Sequence, residues 1–180
     1  MTSPTRKIEG RILLFTGDGK GKTTAALGMV LRASGHGQRI LVIQFIKHNT
    51  ATGEINGCRH LPQVELLQTG LGFVPDPASP HFVEHRRAAE KGLDYAAEAL
   101  RSRQYDLVVL DEICLAVSTG LLKEDPVMEV LRQTGPETCV VLTGRQCTPG
   151  LASLADTATE MRCLKHGFQS GRNAQKGVEY

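Results

Sequence analysis

The chain contains no tryptophan, so no site in it can rest on an indole ring. Aromatic residues of every kind make up only 4% of its 180 residues. Excess charge is scarce as well. The net charge of +2 is too small by itself to argue for a nucleic-acid partner, and the six histidines add to it only at lower pH. No apolar run is long enough to span a bilayer, and the first residues, MTSPTRKIEGR, lack the apolar core of a signal peptide. These absences lead us to expect a cytoplasmic protein whose partners include neither membrane nor nucleic acid. No C-x-x-C pair occurs. The five cysteines, at 58, 114, 139, 147 and 163, are odd in number and fit a reducing compartment and free thiols. Cys58-Arg59-His60 is half a metal site without a second pair at useful spacing, and reads as a lone turn cysteine. There is no internal repeat, low-complexity segment or linker.

What remains is an ordinary globular balance, 41% hydrophobic and 22% charged, in a chain long enough for one sizeable core. Residues 1–9 read as a flexible arm and 10–180 as a single domain. Strand-like and helix-like stretches alternate. Strands are expected over 10–16, 39–45, 64–67, 107–110 and 138–143, with a last one over 160–164. Helices are expected over 23–33, after Ser79-Pro80, after Asp125-Pro126 and from Thr148-Pro149. The helix after Ser79-Pro80 carries Ala89, Leu93, Ala97 and Leu100 on one face. Residues 47–62 read as polar loop. Residues 69–80, TGLGFVPDPASP, read as a long Gly- and Pro-rich loop of the kind that carries function or disorder. The alternation predicts an α/β fold, a doubly wound, mostly parallel sheet with helices on both faces, and ligands at the carboxyl ends of its strands.

Chemistry concentrates at those ends. TGDGKGKTT, residues 16–24, follows the apolar run Ile12-Leu13-Leu14-Phe15. Gly17, Gly19 and Gly21 free the backbone to point successive N–H groups at phosphate oxygens, with Asp18 and Lys20 interspersed. Lys22 adds a cation, Thr23 a hydroxyl for Mg²⁺, and Thr24 opens a helix aimed at the anion. The strict G-x-x-x-x-G-K-[ST] pattern wants Gly at Thr16, so the loop is a variant. Leu107-Val108-Val109-Leu110 delivers Asp111 and Glu112 to the sheet edge, where a phosphate site needs oxygen ligands for Mg²⁺. Gln44-Phe45-Ile46-Lys47 ends the second strand at the ligand edge of such a sheet, a position that favours function and makes Gln44 a candidate nucleotide contact; the alternative reading has Phe45 in the core and Lys47 on the surface. Arg145, in Thr143-Gly144-Arg145, can reach phosphate through two parallel hydrogen bonds.

TGDGKGKTTAALG, RASGHG, QFIK, TG-x-GF, VVLDE, TGR and KHGFQSGRNAQKGVEY occur in that order. Together they resemble the ATP:corrinoid adenosyltransferases of cobalamin biosynthesis and salvage, from Gly10 to Tyr180. The resemblance implies a RecA-like phosphate-loop NTPase fold, a homodimer, and Mg²⁺-dependent transfer of the 5′-deoxyadenosyl group of ATP to a reduced corrinoid, with triphosphate released. Gly17 to Thr24 then form the triphosphate cradle, and Lys22 stabilises developing charge. Thr23 and Glu112 hold Mg²⁺, with Asp111 a further metal candidate, while Arg32 and Arg145 fall on nucleotide-contacting positions. A reductase or flavin supplies electrons. Phe73 would help strip the lower ligand from cobalt. Here the family's Gly-Phe-Thr-Trp loop reads Gly72-Phe73-Val74-Pro75, so Pro75 stands where the family has Trp, and His48 stands where it has Gly. A phosphoryl-transfer ATPase or kinase of similar fold, or a non-catalytic ATP- or corrinoid-binding regulator, are the alternative readings of the same residues.

Overall fold

The computed structural model describes residues 10–49 and 51–178, so the expected arm at 1–9 lies outside the described residues. Six parallel strands make one sheet in the order β3-β2-β4-β5-β1-β6: β1 (Ile12–Thr16), β2 (Ile40–Gln44), β3 (Val64–Gln68), β4 (Leu107–Asp111), β5 (Cys139–Thr143) and β6 (Thr157–Glu160). The crossovers are α1 (Lys22–Gly35), α2 (Gly53–Arg59), α3 (Phe82–Ser102), α4 (Ile113–Ser118), α5 (Glu124–Arg132) and α6 (Pro149–Leu154).

The central strands explain the continuous apolar runs. Every residue of β2 and β4 is buried, because helices cover both faces. Leu41, Ile43, Val108 and Leu110 point into the core beneath α3, α4, α5 and α6. Ile40, Val42, Leu107 and Val109 point to the opposite core beneath Ala26 and Val30 of α1. Burying such a side chain contributes about 1.5–3 kcal/mol, enough to fix the strand register against a one-residue slip. α3 presses Ala89, Leu93, Ala96 and Leu100 onto the sheet; the buried face includes Ala96, whereas Ala97 packs at its margin.

Several local expectations are corrected. α3 begins at Phe82, not at Ser79-Pro80, because Ser79 belongs to a preceding turn: its N–H donates to Asp76 O at 2.8 Å and its carbonyl accepts from Phe82 N at 3.0 Å. α5 begins before Asp125-Pro126, with Lys123 as its cap, so Glu124, Asp125 and Pro126 occupy a first turn that tolerates acids and a missing N–H. The expected loop 47–62 contains α2, whose Ile55 and Cys58 are buried despite two glycines in GEINGCR. α4 directly follows β4 as an uninterrupted apolar stretch with no polar alternation to announce it. The last strand spans Thr157–Glu160 and ends where 160–164 was expected to begin. All its side chains are exposed, and pairing with β1, Thr157 opposite Leu13 through Glu160 opposite Thr16, sets its place.

Candidate active site

The first strand, β1, ends at Thr16 and the chain enters the glycine-rich loop. Gly17 and Gly21 have φ of 96° and 114°, a backbone region that side chains with a Cβ resist. Gly19 is needed for space: a Cβ there would come within 2.6 Å of Met161 O, the atom that accepts the Gly19 N–H at 2.7 Å. The segment after β6 thus backs the loop from outside, and Cys163 N adds a bond to Asp18 Oδ1 at 3.2 Å. Gly21 caps α1, which starts at Lys22, and the loop opens on that helix N-terminus. Lys22 is only 6% exposed and its Nζ donates to Gly19 O at 2.6 Å. Burial pushes its pKa down, against the opposing pull of Glu112.

Asp111 anchors the centre. Its Oδ1 accepts from Thr23 Oγ1 and from Thr143 Oγ1, both at 2.8 Å, and its Oδ2 accepts from Gln44 Nε2 at 3.0 Å. Gln68 Nε2 extends the chain to Gln44 Oε1 at 2.9 Å. The parallel register puts these last strand residues in one row, Gln68 beside Gln44 beside Asp111. Asp111 is 1% exposed and Gln44 fully buried. Both organise the site from within the protein and neither is among the residues that line the cavity.

Glu112 turns the other way. It sits in the left-handed region at φ 64°, held by its N–H to Thr143 Oγ1 at 2.8 Å, and faces the cavity. Its Oε2 is buried without a hydrogen-bond partner. Burial first, and Asp111 second, push its pKa up. A buried carboxylate oxygen with no donor is what a cation would satisfy, so Glu112 and the Thr23 hydroxyl fit Mg²⁺. Among the described residues no three His, Cys, Asp or Glu side chains form a metal cluster by themselves. A cation here would share its shell with phosphate oxygens and water, as Mg²⁺ commonly does.

These groups converge on a cavity of about 480 Å³ lined by Gly19 to Thr24, Leu27, Glu112 and Arg145. Lys47, Glu54, His166, Gly177 and Val178 also line it; the sequence reading put Lys47 at the ligand edge and gave the other four no place in the site. The QFIK motif was the available signal for Lys47. Its Nζ lies 2.6 Å from Glu54 Oε1 and 3.9 Å from Asp111 Oδ2. Beside this cavity lies a more apolar one of about 640 Å³ lined by Ile46, Lys47, His48, Leu71 and Phe73, among others, with Lys47 common to both. Phe73 is 96% exposed. Pro75 is half-buried and lines neither cavity. Arg32 is placed elsewhere: it lines a small pocket with Met29, His36 and Asp106. The physical reason is the course of α1, which rises 1.5 Å per residue and carries position 32 about 15 Å beyond Lys22.

All five cysteines are free, and the Cys147 thiol donates to Thr148 O at 3.5 Å.

A parallel sheet whose first strand feeds a glycine-rich loop onto a helix N-terminus, with an acidic strand end beside it, defines a phosphate-loop nucleotide-binding protein of the α/β class. The flagellar accessory protein FlaH of Methanocaldococcus jannaschii shares the fold at a TM-score of 0.58 and 10% identity, over 85% of this chain and 71% of that one. The family model described as ATP:corrinoid adenosyltransferase BtuR/CobO/CobP matches residues 8–180, and the chain belongs to this family of transferases. It is 40% identical over 176 residues to a corrinoid adenosyltransferase of Pseudomonas aeruginosa, covering 97% of this chain and 86% of the relative. It is 37% identical over 172 residues to that of Escherichia coli K12, covering 95% and 86%. The family implies ATP and a corrinoid as small-molecule substrates.

Proposed function

We propose that the protein transfers the 5′-deoxyadenosyl group of ATP to the Co(I) centre of a reduced corrinoid, releasing triphosphate. The observation that carries the reading is the adjacency of the two cavities across Lys47, one lined by the phosphate loop and the other more apolar and lined by Ile46, Leu71 and an exposed Phe73 beside His48 and Asn49. In the reaction the cobalt electron pair forms the Co–C5′ bond, the C5′–O bond breaks, and triphosphate leaves with that bonding pair. Cobalt passes formally from Co(I) to Co(III).

The protein needs neither a nucleophile nor a general base for this. Lys22, Arg145 and the N–H groups of Lys20 to Thr24 face the leaving group and stabilise its growing charge. Thr23 and Glu112 would hold Mg²⁺, which supplies further charge neutralisation at the phosphates. Asp111 keeps the Thr23 hydroxyl oriented by accepting its proton, and Gln44 holds Asp111 in turn. Phe73 offers an apolar face for the corrinoid, whose lower axial ligand must leave before Co(II) is reduced. We assign residues 10–180 to one catalytic unit. We further propose a cytoplasmic homodimer that receives electrons from a reductase or reduced flavin; among the described residues no helix is long and apolar enough to cross a membrane.

The test is an anaerobic assay with chemically generated cob(I)alamin and Mg-ATP. Adenosylcorrinoid, seen in its visible spectrum, and stoichiometric triphosphate are expected. ADP and phosphate instead would identify a phosphoryl-transfer enzyme. Binding of both substrates with no product under strong reduction would identify a regulator.

A further inference from the structure

Adenosyl transfer has to happen where its two substrates meet. Cobalt must come within bonding distance of C5′, and C5′ carries the oxygen through which triphosphate leaves. On the reading above, the phosphates occupy the cavity of about 480 Å³ over the glycine-rich loop, and the corrinoid occupies the more apolar cavity beside it. Among the described residues, Lys47 is the one that lines both.

The backbone fixes Lys47 at this junction. Phe45 N donates to Asp111 O at 3.0 Å and Gly72 N donates to Ile46 O at 2.8 Å, so the chain just before Lys47 is pinned between β4 and the loop that carries Phe73. A Cβ at Gly70 would collide with the Ile46 backbone, so that loop packs directly on the strand end. An ion pair fixes the side chain. Lys47 Nζ donates to Glu54 Oε1 at 2.6 Å and lies 3.9 Å from Asp111 Oδ2, whose other oxygen accepts from Thr23. The Lys47 side chain is 32% exposed, against 12% for Glu54. An ammonium has more N–H donors than one carboxylate occupies. Glu54 thus sets where the charge sits, and Lys47 keeps donors for a ligand oxygen.

The other cations around the phosphate cavity are held differently. Lys22 is buried and donates to Gly19 O. Lys20 donates to Val178 O at 3.1 Å. Arg145 lines the phosphate cavity but not the apolar one.

We propose that Lys47 is a catalytic residue of the transfer step: its ammonium, oriented by Glu54, hydrogen-bonds the oxygen released from C5′. The inference rests on the reading of the chain as an adenosyltransferase. As the cobalt electron pair forms the Co–C5′ bond, the C5′–O bonding pair stays on that oxygen and negative charge grows there. Lys47 donates a hydrogen bond to it and keeps its proton. That charge is absent from bound ATP, so the contact strengthens in the transition state and speeds the step more than it tightens binding.

Single-turnover adenosylation with chemically generated cob(I)alamin and saturating Mg-ATP reads the step, and titration calorimetry with Mg-ATP reads binding. Lys47→Met is expected to slow the single turnover about a hundredfold, the scale of one lost transition-state donor, with Mg-ATP affinity changed less than about threefold. Raising the cob(I)alamin concentration is expected to leave the loss in place. Lys47→Arg keeps the charge in a different shape and is expected to recover about tenfold of the loss. Lys47→Met leaves Glu54 without its cation, so Lys47→Met combined with Glu54→Gln is the control for fold. The same rate loss is expected in it, with retained Mg-ATP binding reporting the folded state. An unchanged rate, a loss matched by lost Mg-ATP affinity, a loss abolished by more corrinoid, or a double variant that regains the wild-type rate would overturn the proposal. A fully active Lys47→Met overturns this role alone. A wild type that forms no adenosylcorrinoid overturns the function proposed above and this role with it.

Discussion

Lys22 is held in a way that prepares it for an anion. Its ammonium donates to Gly19 O at 2.6 Å, is nearly buried, and has its pKa lowered by that burial, so a polyphosphate restores a charge partner that water supplies poorly there. Lys22→Ala is expected to raise the barrier to adenosyl transfer by about 2–4 kcal/mol, with little change in the urea midpoint. A rate within a few-fold of wild type would remove Lys22 from the cradle. Glu112 is the complementary case, a carboxylate with one oxygen left without a donor. Glu112→Gln is expected to shift the Mg²⁺ titration of activity to higher concentration. An unmoved titration would count against Glu112 as a metal contact. Glu54 offers a pH test of stability. Burial pushes its carboxyl up, but the Lys47 hydrogen bond, a backbone N–H, the Lys47 charge and Gln44 together outweigh burial and hold its pKa below the ordinary value of 4.5. A lowered folded-state pKa gives stability that is present above the unfolded value and lost as pH falls through the folded one. Glu54→Gln is therefore expected to be less stable than wild type by about 1 kcal/mol at neutral pH. The gap in urea midpoints should close below the ordinary glutamate range; a gap that persists in acid would mean the loss is one of packing.

At the scale of elements, the loop between β3 and α3 is anchored at its start and open at its tip. Thr69 N and Gly70 N donate to Gln44 O at 3.1 and 3.3 Å, and Gly72 N donates to Ile46 O at 2.8 Å. These bonds tie the loop to the end of β2, beside Lys47, and leave the Phe73 ring 96% exposed over the apolar pocket. An aromatic ring so placed loses nothing by being covered and gains from apolar contact with a corrinoid. Phe73→Ala is expected to slow the reaction started from Co(II) much more than the one supplied with ready-made Co(I), because removing an axial ligand matters only before reduction. Equal losses in both assays would make Phe73 a general binding residue. Pro75→Trp is expected to be tolerated or to improve the Co(II)-started reaction, since Pro75 is half-buried outside both cavities. The same scale shows why some elements were legible in the sequence. β2 and β4 were, because burial on both faces demands continuous apolar runs. β6 was displaced because an exposed strand carries no hydrophobic pattern. α2 was hidden by the glycines that flank its buried Ile55 and Cys58.

Across the whole molecule, the sheet is both the core and the frame of the site. Leu110 is fully buried in the α3–α6 core and immediately precedes Asp111. Leu110→Ala is expected to lower unfolding free energy by about 2–5 kcal/mol in urea denaturation, through lost burial and the cavity left behind. A much smaller loss would mean that the core collapses readily around that position. The phosphate loop, the acidic strand end and the α/β class were determined by the sequence itself, because each depends on contiguous residues: positive-φ glycines, a helix start, a buried run ending in carboxylates. Which residues share the cavity was decided only by tertiary structure. Lys47, Glu54, His166 and Val178 reach it because β2, α2 and the C-terminal tail converge on the carboxyl edge of the sheet, while Arg32 is carried away along α1. Asp111 and Glu112 are neighbours in sequence with opposite fates, one locked among Thr23, Thr143 and Gln44, the other turned into the cavity by a left-handed backbone step. Local sequence specifies backbone conformation within a turn or a strand. Strand order and packing specify which of those turns and strands meet, since the hydrogen bonds that join them link residues far apart in the chain.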